Sequence, residues 1–506
     1  MTNLQSIRRA VAALPFVAGA VHAQTSAGTA PLARDAARIE RLLRPAVRIA
    51  DRPDTTFDLL DRMRYWHVPG VSIAVIDDFR IVYARGFGVT EFGGSRPVDS
   101  TTLFLAGSIS KPVFATGALK LVEQGRLSLD EDVNAKLKSW RVPESRFTER
   151  EKVTLRRLLT HSAGLTVWGF PGYAADSAVP TVPQLLDGTR PANTAAVRND
   201  TIPGARWLYS GGGFTIAQLL ATDVTGEPFP ALMRRLVLGP AGMTRSTYEN
   251  PLPAARHSEA ATGHERIDTP VPGRFHTYPE MAAAGLWTTA SDLARWELAL
   301  TRSYNGDDKE ILSPAIARHM ISRQMIVGQQ FGSGAYGLGV AVEGDGDSIS
   351  FSHGGRDEGF VAGVMMWPKV GRGFVILTNG VSGALLNEFR RAFAELDGVG
   401  GSLRLERRVV PVDAASLVPL VGQYLWVQGK DTITADITSS ADTLFMYNTF
   451  GKRRFRLWPE TPDIFFDVNN GATFVFERDS TSRSARARAI RIGRATDAPR
   501  ALRKGG

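Results

Sequence analysis

A serine and a lysine three residues apart, Ser108 and Lys111, are the residues whose types and spacing could do covalent chemistry in this sequence. If Ser108 opens a helix, the two side chains share a face of it, and the amine can take the hydroxyl proton. Only ten of the 60 basic residues are lysines. The small and apolar neighbours would lower the pKa of Lys111 by desolvation. The alternative interpretation is a helix-capping serine followed by a surface lysine.

The residues around this pair predict the elements that would position it. Residues 110–127 have the apolar periodicity of a helix, with Pro112 near its start and Gly125 near its end. Amides at the start of that helix would point towards Ser108 and could bind an anionic oxygen. Upstream, the apolar runs GVSIAVIDD and RIVYARGFG meet at Asp77-Asp78-Phe79-Arg80 and predict a β-hairpin.

The N-terminus has the pattern of a secretory signal peptide. Arg8 and Arg9 precede an apolar stretch from Ala10 to Val21, and the small residue Ala23 follows. We expect cleavage after Ala23 and export to a bacterial periplasm or the cell exterior. An uncleaved apolar anchor is the alternative. No later apolar run reaches the roughly 18 residues of a membrane span, and the absence of cysteine excludes disulfides and a lipoprotein anchor.

Composition and charge are those of a globular protein with more than one domain. The 506 residues are 43% hydrophobic and 22% charged, and a chain of this length exceeds one ordinary domain. The formal net charge is +9. Most of it lies in residues 481–506, which hold eight basic residues and one acidic residue. Because such an end is typical of a solvated tail, nucleic-acid binding is not predicted.

The sequence pattern changes along the chain and predicts five segments. Beyond residue 403 the apolar runs are short and several alternate, and Asn470-Gly471 between two of them is a hairpin signal. These features predict a small antiparallel β-barrel or sandwich. The predicted segments are a signal peptide (1–23), a linker (24–55), a main domain (56–398), a C-terminal β-domain (403–497) and a basic tail (498–506).

Several motifs, taken in order, resemble those of a known family. They are VPGVSIAVI, SISK, GRLSLDEDV, LLTHSAGL, PGARWLYSGGGF, AAAGLWTTASDLARW and SHGGRDEGF. With them, residues 57–395 resemble the serine β-lactamase-like hydrolases: class C β-lactamases, DD-peptidases, D-aminopeptidases and related esterases. The resemblance implies an α+β fold with an antiparallel sheet flanked by helices, an adjoining helical region, and Ser108 at their junction. The C-terminal β-domain resembles the lipocalin-like appendage of some of these hydrolases.

The resemblance implies three catalytic residues. Ser108 would be the acylated nucleophile, Lys111 its general base, and Tyr209 a proton relay between the serine and the leaving group. No cofactor is implied. The histidines form no metal-binding pattern, and neither H-E-x-x-H nor G-x-S-x-G occurs. His161, in LLTHSAGL, is interpreted as a structural residue at a helix end.

The resemblance also implies a substrate-binding strand around the motif HGG. His353 would bind substrate or belong to the proton network, and Gly355 would let the substrate lie against the strand. The backbone amide of Arg356 would pair with that of Ser108 as the oxyanion hole. We therefore expect a small-molecule ester, amide or peptide as substrate.

The sequence departs from the family pattern at Gly211. After Tyr-Ser, the β-lactamases and DD-peptidases generally have an asparagine whose side chain binds the substrate amide; here Gly211 follows instead. The departure favours an exported hydrolase of esters or small amides that forms an acyl-enzyme on Ser108. The alternatives that stay open are a peptidase acting on D-amino-acid or cell-wall peptides, a weak β-lactamase, and a penicillin-binding-type scaffold without turnover.

Overall fold

The computed structural model describes residues 36–266, 269–307, 309–327, 334–398, 403–428, 431–448, 453–478, 485–495 and 498–504. The predicted signal peptide lies outside these residues. Within them, an α+β domain built on an eight-stranded sheet precedes a closed β-barrel, so the predicted fold class is confirmed. In the part of the chain that is described, no helix is long and apolar enough to cross a membrane.

The helices lie mostly in the α+β domain. They are α1 (Leu59–Trp66), α2 (Ser110–Glu123), α3 (Leu155–Leu159), α4 (Val182–Asp187), α5 (Gly211–Thr225), α6 (Phe229–Met233), α7 (Met281–Ala284), α8 (Ala290–Asn305), α9 (Pro314–Met320), α10 (Gly383–Asp397) and α11 (Ala414–Leu417). Helix α2 agrees with the helix predicted after Ser108, and its residues from Ser110 to Leu119 are buried. The helix that follows Ser108 is therefore a core helix.

The strands of the first domain are mostly short outside the central sheet. They are β1 (Val47–Ile49), β2 (Gly70–Asp77), β3 (Arg80–Gly88), β4 (Phe104–Leu105), β5 (His264–Arg266), β6 (Thr269–Pro270), β7 (Trp287–Thr288), β8 (Met325–Ile326), β9 (Ala335–Tyr336), β10 (Ala341–Glu343), β11 (Ser350–Asp357), β12 (Phe360–Trp367), β13 (Arg372–Thr378) and β14 (Leu405–Arg407). The sheet has the order β3-β2-β13-β12-β11-β10-β9-β8. Its neighbouring strands are antiparallel, and β2 and β3 form the predicted hairpin.

Two hydrophobic cores cover the two faces of this sheet. Strand β2 is buried along its whole length, so its alternating side chains serve both cores. Ala74 and Ile76 pack with the core that contains α2, α5 and α8. Ile73 and Val75 pack on the other face with the core that contains α1 and α10. A strand buried on both faces reads as a continuous apolar run, which explains the pattern GVSIAVI.

The predicted linker packs against the first domain where the structure describes it. Residues Ala36–Arg41 form a 3₁₀-helix, and Ile39, Leu43 and Val47 are buried, the first two of them in the second core. Strand β1 also pairs in parallel with β14. The linker prediction is therefore wrong from residue 36 to about residue 49, because apolar side chains spaced about four residues apart pack onto the domain.

The C-terminal β-domain is a closed antiparallel barrel. Its strands are β15 (Gly422–Gln428), β16 (Asp431–Ser440), β17 (Thr443–Asn448), β18 (Arg453–Pro459), β19 (Ile464–Phe466), β20 (Thr473–Arg478), β21 (Ala487–Ile492) and β22 (Arg500–Arg503). The predicted hairpin at Asn470-Gly471 joins β19 and β20. Strand β22 pairs with both β21 and β15. The prediction of a solvated tail is thus wrong for residues 500–503, because the barrel needs this strand to close its edges.

A buried ionic cluster joins the barrel to helices α1 and α10. Arg62 donates to the two carboxylate oxygens of Glu388 at 2.7 and 2.5 Å and to Oδ1 of Asn469, a barrel residue, at 2.8 Å. The guanidinium of Arg453, on β18, lies 4.1 Å from the ring centroid of Trp66. Since α10 also borders the cavity that contains Ser108, this docking helps to hold one wall of the candidate site.

Candidate active site

Ser108 and Lys111 lie together at the start of helix α2. Residues Gly107–Ile109 form a 3₁₀ turn that continues into α2. The Nζ atom of Lys111 lies 2.9 Å from Oγ of Ser108 and donates to the carbonyl oxygen of Ala283 at 2.7 Å. Ser108 is partly exposed to the cavity, whereas Lys111 is buried. A neutral amine in this position can donate to Ala283 and accept the hydroxyl proton of Ser108.

Burial moves the pKa values of Lys111 and Tyr209 in opposite directions. Desolvation lowers the pKa of Lys111 to about 7, although the carboxyls of Asp357 and Glu280 oppose the shift. Burial raises the pKa of Tyr209 above its ordinary value, and a hydrogen bond with Ser108 only partly offsets this. At neutral pH Tyr209 is therefore a phenol that can pass a proton on, and Lys111 is the group suited to accept one.

His161 holds the segment that carries Tyr209 and packs against the Tyr209 ring. The amide of Leu208 donates to the His161 carbonyl at 2.7 Å, and the amide of Ser210 donates to its Nδ1 at 3.1 Å. The rings of His161 and Tyr209 lie 4.1 Å apart, centroid to centroid. Ser210 then caps α5 by accepting from the Gly213 amide at 3.0 Å. The interpretation of His161 as a structural residue is consistent with these contacts.

Strand β11 packs directly against the turn that carries Ser108. A Cβ atom at Gly355 would lie 1.9 Å from the carbonyl oxygen of Ala106, and one at Gly107 would lie 2.4 Å from the amide nitrogen of Arg356. Only glycines allow this approach of two backbones. It brings the backbone of Arg356 next to the turn that carries Ser108, as an oxyanion hole made of their two amides would require.

His353 is a neutral residue of the cavity wall. Its Nε2 lies 2.9 Å from the hydroxyl of Tyr336, and its Nδ1 lies 2.6 Å from the Gly354 carbonyl oxygen. Burial and the nearby Lys111 lower the pKa of His353 to about 3. An uncharged imidazole held in this way can bind substrate or order the cavity, but it holds no proton to donate as an imidazolium at neutral pH.

Gly211 lies beneath an aromatic side chain and does not line the cavity. A Cβ atom at this position would lie 2.9 Å from Cε2 of Phe170 and 3.2 Å from the carbonyl oxygen of Trp168. Phe170 and Trp168 themselves line the cavity. Gly211 is therefore kept out of the cavity lining by the loop that carries Trp168 and Phe170. This loop has no recognisable sequence pattern.

The cavity that contains Ser108 has a volume of about 490 Å³. Its aromatic lining residues are Trp168, Phe170, Trp207, Tyr209, Tyr336 and Phe374. A cavity of this size and composition suits a small molecule with an apolar part. The arrangement can present the Ser108 hydroxyl as a nucleophile to a carbonyl carbon and hold the resulting oxyanion on two amides.

Two buried carboxyls near Lys111 were not found from the sequence. Asp357, on β11, and Glu280, just before α7, are buried, and burial raises the pKa of each, that of Glu280 to about 8. Both act on the pKa of Lys111. The position of Asp357 directly after His-Gly-Gly-Arg could have pointed to it, whereas Glu280 lies outside any motif that carries chemistry.

The pKa of Lys111 predicts the acid limb of the pH–rate profile. Since the free amine is the base, kcat/KM should rise with pH up to about 7 and fall about tenfold per unit below that. The pKa of Glu280 is raised to about 8, so Glu280 is uncharged over this limb, and Glu280→Gln should leave the limb where it is. Profiles of the two proteins between pH 5 and 9 check this, and a flat profile or a limb displaced by Glu280→Gln would contradict it.

Comparisons with known proteins identify the family of this chain. A family model described as Beta-lactamase matches residues 59–396. Esterase EstB of Burkholderia gladioli is 27% identical over 305 residues, which cover 54% of this chain and 75% of EstB. Protein flp of Staphylococcus aureus (strain N315) is 24% identical over 322 residues, which cover 62% of this chain and 60% of protein flp. The chain thus spans less than two thirds of the length of that relative.

Solved structures share the fold at low sequence identity. The octameric penicillin-binding protein homologue from Pyrococcus abyssi has a TM-score of 0.60 at 23% identity, with 88% of this chain and 98% of that chain covered. D-alanine carboxypeptidase AmpC from Burkholderia cenocepacia has a TM-score of 0.52 at 23% identity, with 67% and 96% covered. Because the family model extends over more than half of the residues, this chain belongs to the Beta-lactamase family of serine hydrolases.

Proposed function

We propose that this protein is an exported esterase that forms an acyl-enzyme on Ser108. One observation carries the choice of substrate: the ring of Phe170 fills the space beside Gly211, where the motif resemblance leads us to expect an amide-binding side chain. The cavity wall over Gly211 is therefore the apolar ring of Phe170. An ester loses nothing there, whereas a peptide-like substrate would lose a hydrogen bond worth about 0.5–1.5 kcal/mol.

The residues of the site support a two-step reaction. Lys111 takes the proton of Ser108 as Oγ attacks the ester carbonyl, and the amides of Ser108 and Arg356 hold the oxyanion. The Tyr209 phenol gives its proton to the leaving alcohol and regains one from Lys111. Water then attacks the acyl-enzyme, and the same groups move protons in the reverse direction until Ser108 is free. The export part of the proposal is supported by the pattern of residues 1–23 alone.

The experiment compares substrate classes with protein that begins at residue 24. We expect kcat/KM for p-nitrophenyl acetate and butyrate to exceed that for nitrocefin and for D-alanine p-nitroanilide by roughly three- to tenfold, as the loss of one hydrogen bond predicts. The Ser108→Ala variant is the control for uncatalysed hydrolysis. Faster turnover of nitrocefin or of the anilide than of any ester would show that the proposed substrate class is wrong.

A pair of variants tests the reason for that preference. Gly211→Asn alone would clash with Phe170, so Phe170→Ala with Gly211→Asn is compared with Phe170→Ala by itself. Adding the asparagine should raise activity on amide-bearing substrates relative to esters by roughly three- to tenfold. An unchanged ratio would mean that position 211 does not decide the substrate class.

A further inference from the structure

The two adjacent glycines of β11 face opposite sides of the sheet. A Cβ atom at Gly355 would strike the turn that carries Ser108, whereas one at Gly354 would meet only the carbonyl oxygen of Ala362, at 4.0 Å. Successive residues of a strand point to opposite faces. Gly354 therefore opens onto the face covered by α10, and the space beside it is empty of protein atoms.

A second glycine lies across the strand pair from Gly354, and a side chain of α10 packs over it. Gly363 on β12 is the register partner of Gly354, and a Cβ atom at Gly363 would lie 3.4 Å from Cδ2 of Leu386 on α10. Met365, two residues further along β12, continues the same wall. We call the space bounded by Gly354, Gly363, Met365 and Leu386 the outer slot. It exists because Gly354 lacks a side chain, whereas Leu386 of α10 lies over Gly363 and bounds the space on that side.

The outer slot is continuous with the cavity at Ser108. Its four residues and Ser108 line one cavity, and only the edge of β11 lies between them. Strand β10 pairs with β11 only at Ser350–Ser352, so a bound molecule can pass over the edge beyond that point. Arg390 on α10 also lines the cavity and donates to Glu343 at 3.1 Å, so its charge is compensated there.

We propose that the outer slot binds an apolar group, an alkyl chain or an aryl ring, of the ester attacked by Ser108. The inference rests on the proposed esterase function and names the substrate class more closely: esters with a substituent longer than acetyl or methyl. The apolar walls formed by Met365 and Leu386 favour such a group.

Gly354→Val tests the outer slot because it fills the space without straining the strand. The backbone at Gly354 is not in the left-handed region, and β-branched residues suit strands. One ester series varies the acyl chain on p-nitrophenol, and the other varies the alcohol of acetate esters. In the wild type, each methylene bound in the slot should raise kcat/KM about fourfold. In Gly354→Val, the ratio of hexyl to methyl substrates should fall more than tenfold, and the series affected identifies which side of the ester the slot binds.

The control and the contrary outcomes separate this inference from the proposed function. Ala84→Val, on the exposed edge strand β3, makes a similar change on a strand outside the cavity and should leave the chain-length ratio unchanged. Equal chain-length ratios in wild type and Gly354→Val would overturn the outer slot even if esters are hydrolysed. If no ester is hydrolysed, the rates at which p-nitrophenyl alkylphosphonates of rising chain length modify Ser108 give the same comparison, and equal ratios would again overturn the slot.

Discussion

Ser108→Ala and Lys111→Ala should each lower kcat by roughly three orders of magnitude or more, and the double variant should be little worse than either one. The two side chains lie 2.9 Å apart and act as one unit, so removing either removes the same chemical step. Lys111 also carries the only amine shown next to Ser108 among the described residues, which leaves no second base of this type. Steady-state kinetics with a p-nitrophenyl ester give the kcat values of the two single variants and of the double variant.

Lys120→Ala is the matched control for that experiment. Lys120 lies on the same helix, but its side chain pairs with Glu123 at 3.2 Å, away from Ser108. Its loss should change kcat by less than about twofold, since a surface ion pair contributes only about 0–1 kcal/mol to stability. Losses in the two single variants that multiply in the double variant would contradict the assignment of Ser108 and Lys111 as nucleophile and base.

Gly355→Ala should lower kcat/KM by roughly a hundredfold or more while the protein stays folded. The new Cβ atom would lie 1.9 Å from the Ala106 carbonyl oxygen and 2.9 Å from its carbon. Both contacts are with backbone, so the strand and the Ser108 turn must move apart. A displacement of about 1 Å between the amides of Ser108 and Arg356 is enough for a loss of this size.

The neighbouring glycine supplies the comparison for this variant. Gly354→Ala adds the same atom on the same strand, where the nearest protein atom is 4.0 Å away. Its loss in kcat/KM for an acetate ester should be far smaller than that of Gly355→Ala. Circular dichroism and thermal unfolding of both variants check that the fold is kept. Similar activities in the two variants would show that the close approach at Gly355 does not hold the oxyanion donors in place.

The contact between Ser108 and Lys111 in the candidate site was predictable because it depends on short-range spacing. Ser108 and Lys111 meet because three residues make about one helical turn, and Tyr209 is recognisable from the segment YSG that precedes a helix. The HGG motif likewise indicated that a strand, now seen as β11, lies against the Ser108 turn. The Ser108–Lys111 pair needs only local structure, which the sequence encodes strongly. Tyr209 and the HGG strand lie far from Ser108 in the chain, and their places at the site were implied by the family resemblance.

The remaining features depend on contacts between residues far apart in the chain. Phe170 covers Gly211 across some forty residues of loop, and no periodicity in that loop predicts where the ring will lie. The buried carboxyls of Glu280 and Asp357 approach Lys111 from separate elements. The open space beside Gly354 depends on the position of α10, whose Leu386 lies over Gly363 across the strand pair.

The same dependence on distant contacts explains why two predictions were wrong: the linker at residues 36–49 and the solvated tail at residues 500–503. Residues 36–49 and 500–503 have ordinary compositions for a linker and a basic tail. Their structure comes from what lies next to them: a hydrophobic face of the first domain that accepts Ile39 and Leu43, and barrel edges that need β22. The composition of a segment shows how polar it is. It does not show which sheet edge or which hydrophobic face of a domain that segment will cover.

The most direct test of Ser108 as the nucleophile is the mass of the covalent intermediate. The wild type is treated with a fluorophosphonate and, separately, mixed rapidly with a p-nitrophenyl ester, and the intact protein and its peptides are weighed. We expect one adduct per chain from each reagent, located on the peptide that contains Ser108, and no adduct in Ser108→Ala. Rapid ester hydrolysis by Ser108→Ala, or an adduct on another residue, would contradict the central claim that Ser108 is the nucleophile.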